Sequence, residues 1–432
     1  MSHHRRILWS GGLSLVIGTL ETGAWPVLLP LIAPEFGVST VSVAWVLVAF
    51  GLGMASAALT AGRIGDVLGH KRVAVAGFAL ELVLLLLSIV SPVFWLVLPL
   101  RFLQGIARSA HINSIGALIM GAYPKEQRGR AVGIRLGLAY VGLILGPLYA
   151  GLVANGLGWR APLLGIAALY VAHTLAVVLA VPADTAAQRV MPVLRRLDWP
   201  GALAFLVSIA SLLYGAQLLR RGGSLPQAAA FVALALAAFA AAMAFERRAK
   251  SPALNLQVLG TPISSSAFAS LISFSAAFGA VTFLMPFFMQ RGLGWTVAVS
   301  GGVLVTLNLV QVFGAPLMGH LADRGGTRLL VTVGSALVVL GLLLASRLGH
   351  DTQAWQVVAV MLLLGLSQSL FETPINRIFY DAVPANALAS AAAFGTVGRQ
   401  IGLALGGALG AALLASRADG STVAGVSAAL VT

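Results

Sequence analysis

Residues 62–72 read Gly62-Arg63-Ile64-Gly65-Asp66-Val67-Leu68-Gly69-His70-Lys71-Arg72. They break two long apolar runs, 38–61 and 73–91. A near copy, Gly319-His320-Leu321-Ala322-Asp323-Arg324-Gly325-Gly326-Thr327-Arg328, breaks the runs 297–319 and 328–346. Both begin with Gly, place an Asp four residues on, and close with glycine and basic residues. A tight turn calls for glycine. An Asp there can accept from the exposed amides of a helix start or from an Arg across a bundle, a contact that opens and closes with conformation. Any short turn favours these residue types, but two copies at matching places divide the chain into related halves. Gly62, Asp66, Gly69, Lys71, Arg72, Asp323 and Arg324 are therefore candidate switch residues.

The surrounding composition says what the halves are made of. Of 432 residues, 59% are hydrophobic and 9% charged, and the mean hydropathy is +0.95. Soluble domains are about one quarter charged. So much apolar surface exceeds what one water-soluble core can hide, which excludes a soluble enzyme, a disordered chain and a secreted disulfide scaffold. With no cysteine, disulfides and Cys-ligated metals are excluded too. The net charge of +14 sits in short clusters between apolar runs, the pattern of membrane topology rather than of nucleic-acid binding.

A helix needs about 20 apolar residues to cross a bilayer. Such runs cover 7–33, 38–61, 73–91, 94–122, 131–154 and 161–181, then 199–219 and 226–245, then 263–289, 297–319, 328–346, 354–379 and 388–415, thirteen in all. Ser421 to Thr432 is too short for a fourteenth, so the chain as given is expected to stop inside it. Helices are the expected element, since strict strand alternation is missing. An inside N-terminus puts sixteen Arg and Lys on the inner side and six on the outer, which predicts a multi-pass inner (plasma) membrane protein with a cytoplasmic N-terminus. The expected division is 1–181 as an N-terminal six-helix bundle, 182–250 as a linker with two extra spans, and 251–432 as a C-terminal bundle.

With these residues in place, the chain resembles the major facilitator superfamily, in particular its fourteen-span drug–proton antiporter branch. The paired loops look like that superfamily's signature. Leu20-Glu21 with Leu29-Pro30 is similar to its first-span motif, Arg101-Phe102-Leu103-Gln104-Gly105 to its fourth, and Gly142, Gly146-Pro147, Gly151 and Trp159-Arg160 to the antiporter motif of span five. Glu21 stands where most relatives have Asp, Val67 replaces an expected basic residue, and Arg108 lies where relatives keep a small one. The resemblance implies an all-α polytopic fold of two six-helix bundles plus two intervening helices. It also implies export of amphipathic small molecules driven by the proton gradient, with no cofactor, no metal, no nucleic acid and a monomeric state.

Three carboxylates fall well inside spans: Glu21, Glu81 and Glu372. Low-dielectric surroundings favour the neutral form of a carboxylate, which suits it to carry a proton. Glu21, Arg101 and Glu372 are the expected proton-coupling residues, Arg101 because its counterpart in the family is thought to relay protons. Antiport as a whole hangs on Glu21: a carboxyl sealed among packed side chains, with no aqueous path, would overturn it. Arg101, Gln104, Arg108 and His111 share one helical face, and two arginines there cannot face lipid. One alternative pairs Arg101 with Glu21 and Arg108 with Glu81. The other leaves Arg108 free to receive an anionic substrate group, a flippase or organic-anion exporter on the same fold. Arg108, Gln104, His111 and Phe283 are the candidate substrate contacts, with Phe274, Phe278, Met285, Phe287 and Phe288 as further cavity lining. His173 reads as packing. Gly146 and Pro147 complete the switch residues as a helix joining the bundles. No P-loop, H-E-x-x-H or G-x-S-x-G pattern is present, so neither ATP drive nor hydrolysis is expected. A non-transporting membrane scaffold is the least favoured alternative.

Overall fold

The computed structural model describes residues 3–122, 128–180, 204, 207–208, 211, 225–248, 256–322, 326–382 and 388–416. The first half holds α1 (His3–Glu35), α2 (Thr40–Leu68), α3 (His70–Val90), α4 (Phe94–Ala122), α5 (Arg128–Leu157) and α6 (Arg160–Ala180). Then come α7 (Leu225–Arg248), α8 (Pro262–Phe287), α9 (Val297–Leu321), α10 (Thr327–Ala345), α11 (Ala354–Asp381) and α12 (Leu388–Ser416). These bounds follow the apolar runs closely. Of the expected extra pair, α7 is described, and Ser208 Oγ donates to its Ala235 carbonyl at 2.8 Å. The rest of run 199–219, the linker 182–198 and residues 417–432 lie outside the described residues, as do Asp323 and Arg324.

The repeat is visible in the packing. In the first half α1 packs on α5, α2 on α4, and α3 on α4. In the second half α8 packs on α12, α9 on α11, and α10 on α11, the same three pairings in the same order. The turn between α2 and α3 is a single residue, Gly69, with φ of 90°, a conformation that only glycine adopts without strain. Asp66 lies in the last helical turn before it. Eight described helices carry a stretch long and apolar enough to cross a membrane. By contrast α4 falls short, because Arg101, Gln104, Arg108 and His111 lower its hydropathy; all four are buried in the protein.

The halves meet through α5 on α9 and α2 on α12. Their contacts concentrate toward the face opposite the N-terminus, here the far face. Gly301 of α9 sits so close to α5 that a Cβ there would fall 2.2 Å from the Pro147 carbonyl oxygen. Two hydrogen bonds across this seam have a common cause. Pro147 lacks an amide, so the Leu143 carbonyl four residues earlier loses its helical donor. Asn308 of α9 supplies one at 3.3 Å. Pro34 likewise orphans the Pro30 carbonyl, and Arg291 donates to it at 3.0 Å. Beside it Gln290 donates to the Val27 carbonyl at 2.9 Å. Both side chains project from a wide π-helical turn, Phe288–Gly292, that ends α8.

Each such bond contributes about 0.5–1.5 kcal/mol net. Asn308→Ala should therefore shift the conformational balance toward an open far face by roughly two- to tenfold. Pro147→Ala, which restores the helical donor, should act in the same direction, and the double variant should add little to either. The chain has no cysteine of its own, so spin labels on cysteines introduced at the exposed Val93 and Trp355 read this distance directly. An unchanged distance distribution in both single variants would show that the orphaned carbonyls do not hold the seam.

Candidate functional site

Four helices of the first half bring a charge cluster to mid-depth. Glu21 comes from α1, Glu81 from α3, Arg101, Gln104 and Arg108 from α4, and Tyr170 from α6. All six are at most 3% exposed. The spacing on α4 puts its three polar residues on one stripe, one and two turns apart. Close approach is allowed by Gly18, where a Cβ would strike the Arg108 guanidinium at 2.3 Å.

Glu21 is saturated with donors. Its Oε1 accepts from Arg101 Nη1 at 2.9 Å, Gln104 Nε2 at 2.8 Å and Trp25 Nε1 at 3.0 Å. Its Oε2 accepts from Arg108 Nη2 at 3.1 Å and faces the Tyr170 hydroxyl at 2.9 Å. Arg108 Nε donates to Glu81 Oε2, the shortest contact of the cluster. Arg101 also donates to Gln104 Oε1 at 2.6 Å, and its guanidinium lies 4.3 Å from the Trp25 ring centroid and 4.4 Å from that of Phe50. Two carboxylates balance two guanidiniums. Charges this deep persist only when paired and hydrogen-bonded.

Arg101 is thus paired with Glu21, and Arg108 with Glu81. The alternative of a free Arg108 is corrected: Arg108 bridges both carboxylates through Nε and Nη2. Gln104 is spent on Glu21. His111 is 3% exposed, with Nδ1 2.9 Å from the Ala74 carbonyl and Nε2 2.9 Å from Ser14 Oγ. Phe283 is fully buried, its ring 5.0 Å from that of Phe287. Phe274, Phe278, Met285, Phe287 and Phe288 are buried with it. This apolar face of α8 packs into the protein core instead of lining an open cavity. The expected water path to Glu21 is likewise absent in this conformation, since the carboxyl is sealed among packed side chains. His173 packs edge-on to Phe78.

A second charged pair differs in exposure. Arg399 Nη1 of α12 donates to Glu372 Oε1 of α11 at 2.5 Å, with the arginine side chain 33% and the glutamate 14% exposed. Tyr140 of α5 stands within electrostatic reach of both, which places the pair between the halves. Glu372 lies 18 residues into α11 from the far face, about 27 Å along the helix. It therefore sits on the side opposite the seam held by Asn308 and Arg291. Asn376 donates to the Glu372 carbonyl at 2.7 Å.

Sequence reasoning missed Tyr170 and Trp25, which complete the Glu21 cluster. A Tyr hydroxyl and an indole N–H at mid-span both need partners, and that was the available signal. It missed Glu35 as well, which takes Trp159 Nε1 at 2.7 Å and Arg160 at the far face. Among the described residues no group of His, Cys, Asp and Glu could hold a metal ion.

The Major Facilitator Superfamily profile matches residues 11–407. The chain is similar to multidrug resistance protein Stp of Mycobacterium tuberculosis, 28% identical over 399 residues, 90% of this chain and 72% of that protein. It is similar to the tetracenomycin C resistance and export protein of Streptomyces glaucescens, 26% identical over 424 residues, 95% of this chain and 76% of the other. The solved bacterial homologue of the human drug peptide transporters PepT1 and PepT2 shares the fold, with a TM-score of 0.68 at 15% identity over 99% of this chain and 94% of that one. With two halves of matching helix pairings and a family match over nearly its whole length, the chain belongs to the Major Facilitator Superfamily and is a transport protein, not an enzyme.

Proposed function

We propose that the protein is a proton-driven antiporter that exports amphipathic small molecules across the inner membrane by alternating access, its N-terminus in the cytoplasm. The named functions of the two exporters above, which act on drugs and an antibiotic, support the substrate class. With that orientation, the seam at the far face closes the outside, and the Glu372–Arg399 pair lies toward the cytoplasm. The observation that carries the proposal is this contrast between two charged sites. Glu372 and Arg399 are partly exposed between the halves, where a proton arriving on the carboxylate breaks the ion pair. Glu21 is sealed and held by Arg101, Gln104, Trp25, Arg108 and Tyr170. In the cytoplasm-facing state Glu372 is then the group that exchanges with water. Glu21 exchanges only after the halves rock, when a proton must displace Arg101, Arg108 or one of their neighbours. Substrate and proton bias opposite states, which couples their movements.

Export of anions rested on an unpaired Arg108 and on five arginines against three glutamates within or at the ends of the spans. With Arg108 held between Glu21 and Glu81, that alternative keeps only the charge count.

In proteoliposomes, Glu372→Gln should abolish substrate-dependent proton flux while leaving substrate binding within a few-fold. Glu21→Gln should abolish pH-gradient-driven efflux. Efflux at the native rate in both variants would sink the antiport assignment. Arg108→Ala strands two buried carboxylates, a loss of about 3–5 kcal/mol. It should lower the melting temperature in detergent and reduce transport of cationic and anionic dyes alike, whereas selective loss of anions would restore the free-arginine alternative.

A further inference from the structure

One oxygen of the charge cluster is unaccounted for. Glu81 is fully buried, its Oε2 takes Arg108 and faces the Tyr170 hydroxyl at 2.9 Å, yet its Oε1 has no hydrogen-bond partner. A buried carboxylate oxygen left bare is expensive and calls for a cause. It can take a proton without displacing any donor, which neither oxygen of Glu21 can do.

One turn toward the N-terminal face lies a small, mostly apolar crevice with room for about two waters. Its walls include Ser14, Phe78, His111, His173 and Thr174. On each helix these residues follow the cluster at helical spacing: Phe78 precedes Glu81 by three, His111 follows Arg108 by three, and His173 and Thr174 follow Tyr170 by three and four. Three residues rise about 4.5 Å. Phe78 separates crevice from cluster, its ring 4.3 Å from Tyr170 and 4.8 Å from His111.

His111 is arranged to pass a proton. Its Nδ1 donates to the Ala74 carbonyl, and Nε2 faces Ser14 Oγ at 2.9 Å. Ser14 has a second acceptor, the Gly11 carbonyl, at 2.8 Å. When His111 is neutral, the Ser14 hydroxyl donates to Nε2. When it gains a proton, Nε2–H donates to Ser14 Oγ, and the hydroxyl turns to Gly11. No heavy atom needs to move.

We propose that Glu81 is a second proton-binding site, loaded from the N-terminal face through this crevice inside the first half rather than through the cavity between the halves. Water in the crevice carries a proton past the Phe78 ring as that ring swings aside, and the proton comes to rest on Glu81 Oε1. The charged and titratable groups around Glu81 are Glu21 from α1, Arg101, Arg108 and His111 from α4, and Tyr170 and His173 from α6. The proposal rests on proton coupling for its use in transport, but proton binding itself can be measured without transport.

Infrared difference spectra of the purified full chain across a pH step, in H2O and D2O, test it. The native protein should show a protonated-carboxyl C=O band that shifts in D2O. That band should vanish in Glu81→Gln and persist in Glu21→Gln and Glu372→Gln. Thr174→Leu, which fills the crevice, should slow its deuterium shift at least tenfold with the band intact, and Phe78→Ala should speed it. If Glu81→Gln does not fold, the two crevice variants decide. A Glu81→Gln spectrum that loses no protonated-carboxyl band, or exchange rates equal in native, Thr174→Leu and Phe78→Ala proteins, would overturn the proposal. Failure of antiport would instead leave this band in place while efflux ignored the pH gradient.

Discussion

Two acidic and two guanidinium groups with almost no contact with water set the terms for the first half of this molecule. An isolated charge at that depth is too costly to keep. Glu21, Glu81, Arg101 and Arg108 therefore hold one another, and four helices are tied to a common point. Gln104, Trp25 and Tyr170 add further partners, and Glu81 Oε1 alone among the cluster's carboxylate oxygens is left bare. Removal of any member leaves its partner stranded, which makes the cluster stiff and its protonation consequential.

The two halves are joined by a different device. Close approach at Pro147, Gly151 and Gly301 brings backbones together without side chains between them. Prolines leave carbonyls without helical donors, and Asn308 and Arg291 reach across to fill two of them. Such bonds form only while the far face is shut. Water can replace them once it opens, so the seam can hold one state without forbidding the other. The Glu372–Arg399 pair, on the opposite side of mid-depth, is only partly buried in the protein. Rigid charge inside one half, a breakable seam on one face and an accessible ion pair toward the other are the ingredients of alternating access.

Much of this was legible from the residues. The apolar runs marked the helix bounds within a few residues, because a lipid-spanning helix must be long and apolar. The repeated loops implied related halves, and the recurring pairings of α1, α2, α3, α4 and α5 in α8 to α12 bear this out. Glu21 and Arg101 stood out because charge at membrane depth demands a partner. Phe283 misled, since an aromatic face toward a cavity and one toward packed helices have the same pattern along the chain.

Sequence by itself determined the approximate bounds of the described helices and the short list of ionisable groups within them. All of these follow from local hydropathy and spacing. Tertiary structure alone decided that Arg108 closes on Glu21 and Glu81 instead of standing open to a substrate. It also decided that Tyr170 joins them, that Glu21 is sealed, and that Asn308 meets the one carbonyl freed by Pro147. These are contacts between helices distant in the chain. Which donor meets which acceptor depends on how helices rotate and cross, and no stretch of one helix encodes that alone.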